Sequence, residues 1–204
     1  MQYTLAFTTL VAGVMAGSAC RPSGSTPSPS APAPVQTGHF TVVSARSGSP
    51  IHYLTLTARS GQLYLGGPGP TTSCPAESIG AENCPPGNTT VLSGGTNTLG
   101  LGVVVPGGQQ IYVQKDGLLG YTQPHSAAIP DGASQVGWSR EAPTGKNAFG
   151  YLHHEGGLFG CPAGEGFGYR VYAQVPDVKF GEDCLGFDAL TVEVSAAGAW
   201  QYTK

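Results

Sequence analysis

From residue 38 onward, short runs of alternating apolar and polar residues are separated by turn signals. The runs cover 40–45, 51–58, 62–65, 90–92, 98–105, 110–114, 118–122, 135–139, 148–152, 168–174 and 189–194. Most begin about 8–12 residues apart, the rhythm of an all-β domain. In 52–57, alternation sets Tyr53 and its i+2 neighbours on one side and Leu54 and Leu56 on the other. The turns are explicit: Ser47-Gly48, Ser60-Gly61, Gly94-Gly95, Gly107-Gly108, Asp116-Gly117, Asp131-Gly132 and Gly156-Gly157. Glycine there supplies the positive φ of tight hairpins. A single helical turn is expected around 75–80.

A weak internal echo accompanies this pattern. Ala45-Arg46-Ser47-Gly48 recurs as Ala58-Arg59-Ser60-Gly61, and the stretches 115–120 and 154–160 are similar hairpins. About twelve short strands with such echoes favour a β-trefoil-like domain over a β-sandwich.

Composition narrows the alternatives. Gly and Pro supply 32 and 17 of the 204 residues, and these are the two poorest helix-interior residues. Long helices and coiled coils are therefore excluded. Hydrophobic residues still make up 40%, enough to bury a core. Only 10% of residues are charged and the net charge is -3, which excludes a nucleic-acid footprint.

The first nineteen residues read as a secretory signal: the apolar stretch 5–15 is too short for a bilayer, and Gly17 and Ala19 fit the small-x-small cleavage rule. Cleavage there leaves Cys20 first, the position of a lipidated Cys in bacterial lipoproteins, although Gly17 replaces the usual Leu. Residues 20–37 form a Ser/Pro-rich linker, extended and open to O-glycosylation. The domain is placed at 38–204. After signal cleavage no membrane segment and no GPI signal are expected.

In a secreted chain, cysteines default to disulfides. Cys74 and Cys84 lie ten apart in a Gly/Pro-rich insertion, and Cys161 and Cys184 lie 23 apart. These are the expected bridges, with Cys20 left over, although four cysteines allow three connectivities. No CxxC-type spacing calls for zinc, and no metal or other cofactor is expected. Asn88-Thr89-Thr90 is an acceptable N-glycosylation sequon.

Catalytic motifs are scarce. There is no GxSxG elbow and no P-loop. His153-His154-Glu155 begins like a zinc-protease motif, but Leu158 stands where the second His belongs. A glycoside hydrolase needs two carboxylates across a cleft. The acidic stretch Glu182, Asp183 and Asp188 around Cys184 reads more simply as a solvated loop. Sugar-stacking aromatics would come from Tyr53, Tyr64, Tyr112, Tyr121, Trp138, Tyr151, Tyr169, Tyr172 and Trp200, half or more of them expected in the core.

One stretch is more specific. Residues 40–53, with Phe40, Arg46-Ser47-Gly48-Ser49 and His52-Tyr53, resemble the opening of the fungal phialide cell-wall protein (PhiA) family, which includes IgE-binding cell-wall allergens. Gln62-Leu63-Tyr64-Leu65, Gln110-Ile111-Tyr112-Val113, Leu119-Gly120-Tyr121-Thr122 and Gly137-Trp138-Ser139 follow collinearly. So do Cys161-Pro162 and Asp183-Cys184-Leu185-Gly186. The linker and the Cys74–Cys84 segment look like additions, and Trp200-Gln201-Tyr202-Thr203 stands where the family carries a late Cys.

The resemblance implies a secreted or wall-associated glycoprotein linked to conidium-forming cells and stress protection, with no known catalysis. The expected function is thus a non-enzymatic cell-wall protein, with cell-wall polysaccharide as the partner class it allows. The alternative is a lectin-like binder or a carbohydrate-active enzyme. Arg46, Ser47 and His52 are the candidate surface-binding residues, against the plainer reading of a turn and a strand-edge His.

Overall fold

The computed structural model describes residues 38–204. The signal segment, the Ser/Pro tract and Cys20 lie outside the described residues. The first alternating run becomes strand β1 (His39–Ala45), which buries Phe40, Val42 and Ser44 and leaves the residues between them half-exposed. β2 (Leu56–Arg59) and β3 (Gln62–Leu65) form a hairpin. Its loop, Ser60-Gly61, has φ of 49° and 78°, the primed two-residue turn that matches strand twist. The following segment holds the two-residue β4 (Thr72–Ser73), one helical turn α1 (Ala76–Ile79) and a 3-10 turn at Ala81–Asn83. Then come β5 (Leu92–Leu101), β6 (Gln109–Val113), β7 (Leu119–Tyr121) and β8 (Trp138–Glu141). β9 (Gly150–His154), β10 (Leu158–Pro162), β11 (Tyr169–Ala173), β12 (Leu185–Val194) and β13 (Gln201–Tyr202) complete an all-β domain.

The pairings run in two closed circuits. One goes β1, β12, β10, β11, β3, β7, β6, β5 and back to β1. The other goes β1, β12, β9, β8, β5 and back to β1. The long strands serve both because different stretches pair differently. In β5, Leu92 and Ser93 face β1, Thr96 and Asn97 face β8, and Gly100 and Leu101 face β6. Closure leaves few open edges, the feature that otherwise invites aggregation. A small separate sheet joins β13 to β4.

Two expectations shift. Residues 51–58 do not form one strand: Tyr53 takes a left-handed φ of 59° and turns the chain, and β2 starts only at Leu56. Gly94-Gly95 is not a hairpin tip. The strand runs through it, with φ of 87° and 98°. Gly95 has no room for a side chain, since a Cβ there would stand 2.7 Å from Cβ of Arg140.

Between the sheets lie fully buried Leu63, Leu65, Leu92, Ile111 and Tyr121. The gap left among Val42, Leu63, Leu99 and Trp138 is only about 10 Å³, at the lower limit of what a water needs. Cys74 is bonded to Cys84 and Cys161 to Cys184. The second bridge ties β10 to the loop before β12.

Two polar clusters lie inside. Arg140 of β8 pairs with Glu193 of β12, with side-chain exposures of 9% and 20%. Its guanidinium stands 4.0 Å over the ring of Phe40, and burial lowers its pKa. The second cluster stitches the last residues into the domain. Gln109 Nε2 donates to the carbonyls of Thr122 and Tyr202, each at 2.9 Å, and its Oε1 accepts from Tyr202 N at 2.7 Å. The Tyr202 hydroxyl donates to Thr89 O (2.8 Å) and accepts from Val91 N (3.0 Å). The Tyr121 hydroxyl donates to Thr203 O (2.7 Å) and accepts from Gly61 N (3.1 Å).

Removing one member of a buried ion pair costs about 3 kcal/mol. E193Q should therefore lower the melting temperature by roughly 6–12 °C for a domain of this size. The double change R140M/E193L should recover much of that loss. An E193Q protein that melts with the wild type would show the pair to be energetically idle.

Burial pushes the Tyr202 hydroxyl up to about 12, although the Val91 hydrogen bond opposes it. A folded-state pKa above the unfolded value gives stability that is complete below about pH 10 and lost as pH rises through 12. The loss amounts to on the order of 2–3 kcal/mol. Melting temperature should fall across that window while tyrosinate absorbance appears. Y202F should start less stable and be less sensitive to pH between 10 and 12. Equal pH sensitivity in both proteins would refute the assignment.

Candidate functional site

The candidate residues Arg46, Ser47 and His52 come together at the corner where β1 ends. Arg46 N donates to Nδ1 of His52 at 3.2 Å, and Ser49 Oγ donates to Arg46 O at 2.9 Å. The buried Ser44 hydroxyl donates to the carbonyl of Ile51. Tyr53 N donates to Ser44 O at 2.8 Å, and its ring lies 4.0 Å from that of His52. His52 therefore sits within a turn, not on a strand edge. Ser47 occupies the exposed tip.

Arg46 reaches the adjacent strand β12. Its Nη1 donates to Gly186 O at 2.8 Å. It lines a shallow groove of about 390 Å³ with Phe159, Phe187 and Asp188. The echoed Arg59 does the same from a buried position: its guanidinium donates to the carbonyls of Pro68 and Phe167 and covers the ring of Tyr64 at 4.0 Å. Both Ala-Arg-Ser-Gly stretches thus end a strand with an arginine that ties down a remote carbonyl.

A larger hollow lies elsewhere. An open cleft of about 700 Å³ is lined by Lys115, Ser134, Val136, His154, Glu155 and Asp177, among others. Sequence reading singled out His154 and Glu155 but not Lys115 or Asp177, which only the folded topology brings beside them. His153 and His154 point to opposite faces, as neighbours in a strand must. His153 Nε2 stands 3.6 Å from Glu141 and its ring lies 6.0 Å from that of Tyr151. His154 packs edge-on against Trp138 at 4.8 Å. Among the described residues, no group of three or more His, Cys, Asp or Glu is placed to hold a metal ion.

The carboxylates are dispersed. Glu193 is engaged by Arg140, Glu141 faces His153, and Asp188 lines the Arg46 groove. Glu155 and Asp177 line one cleft, together with Lys115.

Of the nine aromatics considered as sugar platforms, Tyr64, Tyr112, Tyr121 and Trp138 are buried, fewer than half. Tyr53 and Tyr151 are 60% and 40% exposed; Tyr169, Tyr172 and Trp200 are half-buried. Asn88 of the sequon is exposed, whereas Thr90 is buried and its hydroxyl accepts from Ala58 N at 2.8 Å. No helix among the described residues is long and apolar enough to cross a membrane.

The family described as PhiA-like secreted protein matches residues 40–203. An uncharacterized secreted protein of Arthroderma benhamiae is 39% identical over 158 residues, covering 74% of this chain and 78% of that protein. No solved structure matches.

Hydrogen bonds join the residues of the Arg46 corner to one another and to Gly186. R46A removes one partly solvated hydrogen bond, about 1 kcal/mol, so melting should fall by roughly 2–4 °C. An R46A protein that melts with the wild type would show the bond to Gly186 to be energetically idle.

Proposed function

The chain belongs to the PhiA-like secreted protein family, and from that premise we propose that it is a non-enzymatic, glycosylated protein of the fungal cell wall. The disulfide-stapled domain is held in the wall matrix by contacts with polysaccharide, and the Ser/Pro-rich tract sets its reach. Asn88, exposed beside the disulfide-bonded segment, carries the N-glycan. A link to conidium-forming cells and stress protection follows from the resemblance of residues 40–53.

One observation carries the polysaccharide contact. Rings that a core would otherwise take are left facing outward: Tyr53 and Tyr151 are 60% and 40% exposed. Such rings combine an apolar face with a polar tip, and the apolar face of a sugar ring stacks on them. The closed circuits of strands hold the rings on a backbone that does not need to reorganise on binding.

A second reading, a carbohydrate-active enzyme, draws on Glu155 and Asp177 sharing the cleft of about 700 Å³. A single experiment separates the two. The secreted, glycosylated protein is incubated with insoluble chitin, β-glucan and mannan, and released sugar is assayed in the same tubes. Saturable retention without release is the expected outcome. Sugar release that disappears in E155Q or D177N would replace the wall-protein reading with the enzymatic one.

A further inference from the structure

A second groove lies at the end of the domain where β13 meets β4. It consists of two adjoining hollows of about 580 and 440 Å³, which share Pro106 and His125. Each falls within the ~300–1,000 Å³ range of small-ligand sites. Trp200, Gln201 and Ser73 line the first, and Gln110 and Ser126 line the second. No Asp, Glu, Lys or Arg lines either hollow. The larger cleft at Lys115 has the opposite character, mixing Lys115 with Glu155 and Asp177.

The walls of the groove are fixed. Trp200 O accepts from Val105 N at 2.9 Å, which holds the Trp200 backbone at the edge of the groove. Gln201 Nε2 donates to Ser73 Oγ at 2.8 Å, so the amide is oriented before any ligand arrives. Cys74 lines the first hollow and its bond to Cys84 staples that wall. His125, common to both hollows, holds a left-handed φ of 58°, a conformation uncommon outside glycine.

A flat indole, two amides and hydroxyls, with no carboxylate, ammonium or guanidinium, suit a ligand that is neutral, ring-shaped and rich in hydroxyls. A charged ligand would be left without a counter-charge. A proline-rich peptide also takes aromatic grooves, but its tertiary amides offer no donors to the two glutamine carbonyls. We propose that the Trp200–His125 groove binds a neutral hexopyranose chain, with the indole stacked on a sugar ring and Gln110 and Gln201 bonded to its hydroxyls. This rests on the wall-protein reading and gives it a site.

The chain has two tryptophans, and Trp138 is only 3% exposed, so a ligand-induced change in fluorescence reports Trp200. Titration with β-1,3-gluco-oligosaccharides and chito-oligosaccharides should give a saturable change with at least one of them. The change should persist at about 1 M salt, where charge–charge attraction is screened within ~3 Å. Q110A and H125A, both at exposed positions, should weaken binding about tenfold, the equivalent of one good polar contact. E165Q, at an exposed position that lines neither hollow, should leave it unchanged.

If the wild type is retained on polymer but Q110A and H125A bind equally well, the groove is not the site, and the wall-protein reading stands without it. If the wild type shows neither retention nor a fluorescence change, both fall. If a proline-rich peptide alone perturbs Trp200, the groove is a peptide site and the proposal is overturned.

Discussion

Seven consecutive residue pairs, from His39 opposite Val194 to Ala45 opposite Asp188, join β1 to β12. The rest of the fold depends on this ladder, because it belongs to both circuits of pairing. It joins the first strand of the domain to the last long one, so it forms only when the intervening chain has been gathered in. The cost of closing so long a loop grows slowly with its length, and the ladder repays it through backbone bonds and the burial of Phe40, Val42 and Ala189. The Arg140–Glu193 pair sits on this ladder, since Glu193 is the cross-strand partner of Phe40.

The ladder also explains what the loops are free to do. With the strands closed on themselves, long segments such as 66–90 and 122–137 need not supply core. They are tied down instead by single devices. Arg59 holds the carbonyls of Pro68 and Phe167, the Cys74–Cys84 bond closes one loop, and Gln109 with Tyr121 and Tyr202 anchors the final residues. The Arg59, Gln109 and Tyr121 side chains satisfy backbone carbonyls, which is why they are polar and yet lie inside.

How far the sequence revealed this depends on the range of the interaction. β1, the Ser60-Gly61 hairpin and the single turn at α1 are local events, and alternation, turn chemistry and composition announced them. β10 (Leu158–Pro162) went unseen because Gly160, Cys161 and Pro162 weaken any strand signal, and its place is set by β11 and β12 on either side. The turn at Tyr53 defeated alternation because a bulky residue rarely takes a positive φ. Nothing local in the sequence marks Gln109, Arg140 and Glu193 for burial; partners far away in the chain make it possible. The trefoil-like and sandwich alternatives turn on how distant strands pair, which short-range pattern does not encode.

The same division governs the surface. Arg46, Ser47 and His52 stood out because they form a distinctive local string, and local strings most often encode local structure, here a turn that bonds to itself. The uncharged groove has no such string: Ser73, His125 and Trp200 meet only because β13 pairs with β4 and the loop at Pro106 folds over them. A chain this poor in charge has little with which to attract a partner at long range. The binding proposed for the groove rests on contacts that act at touching distance, namely ring faces and amides. A closed sheet with stapled loops holds the groove in place, and a groove whose walls are already ordered loses little entropy when a ligand settles into it.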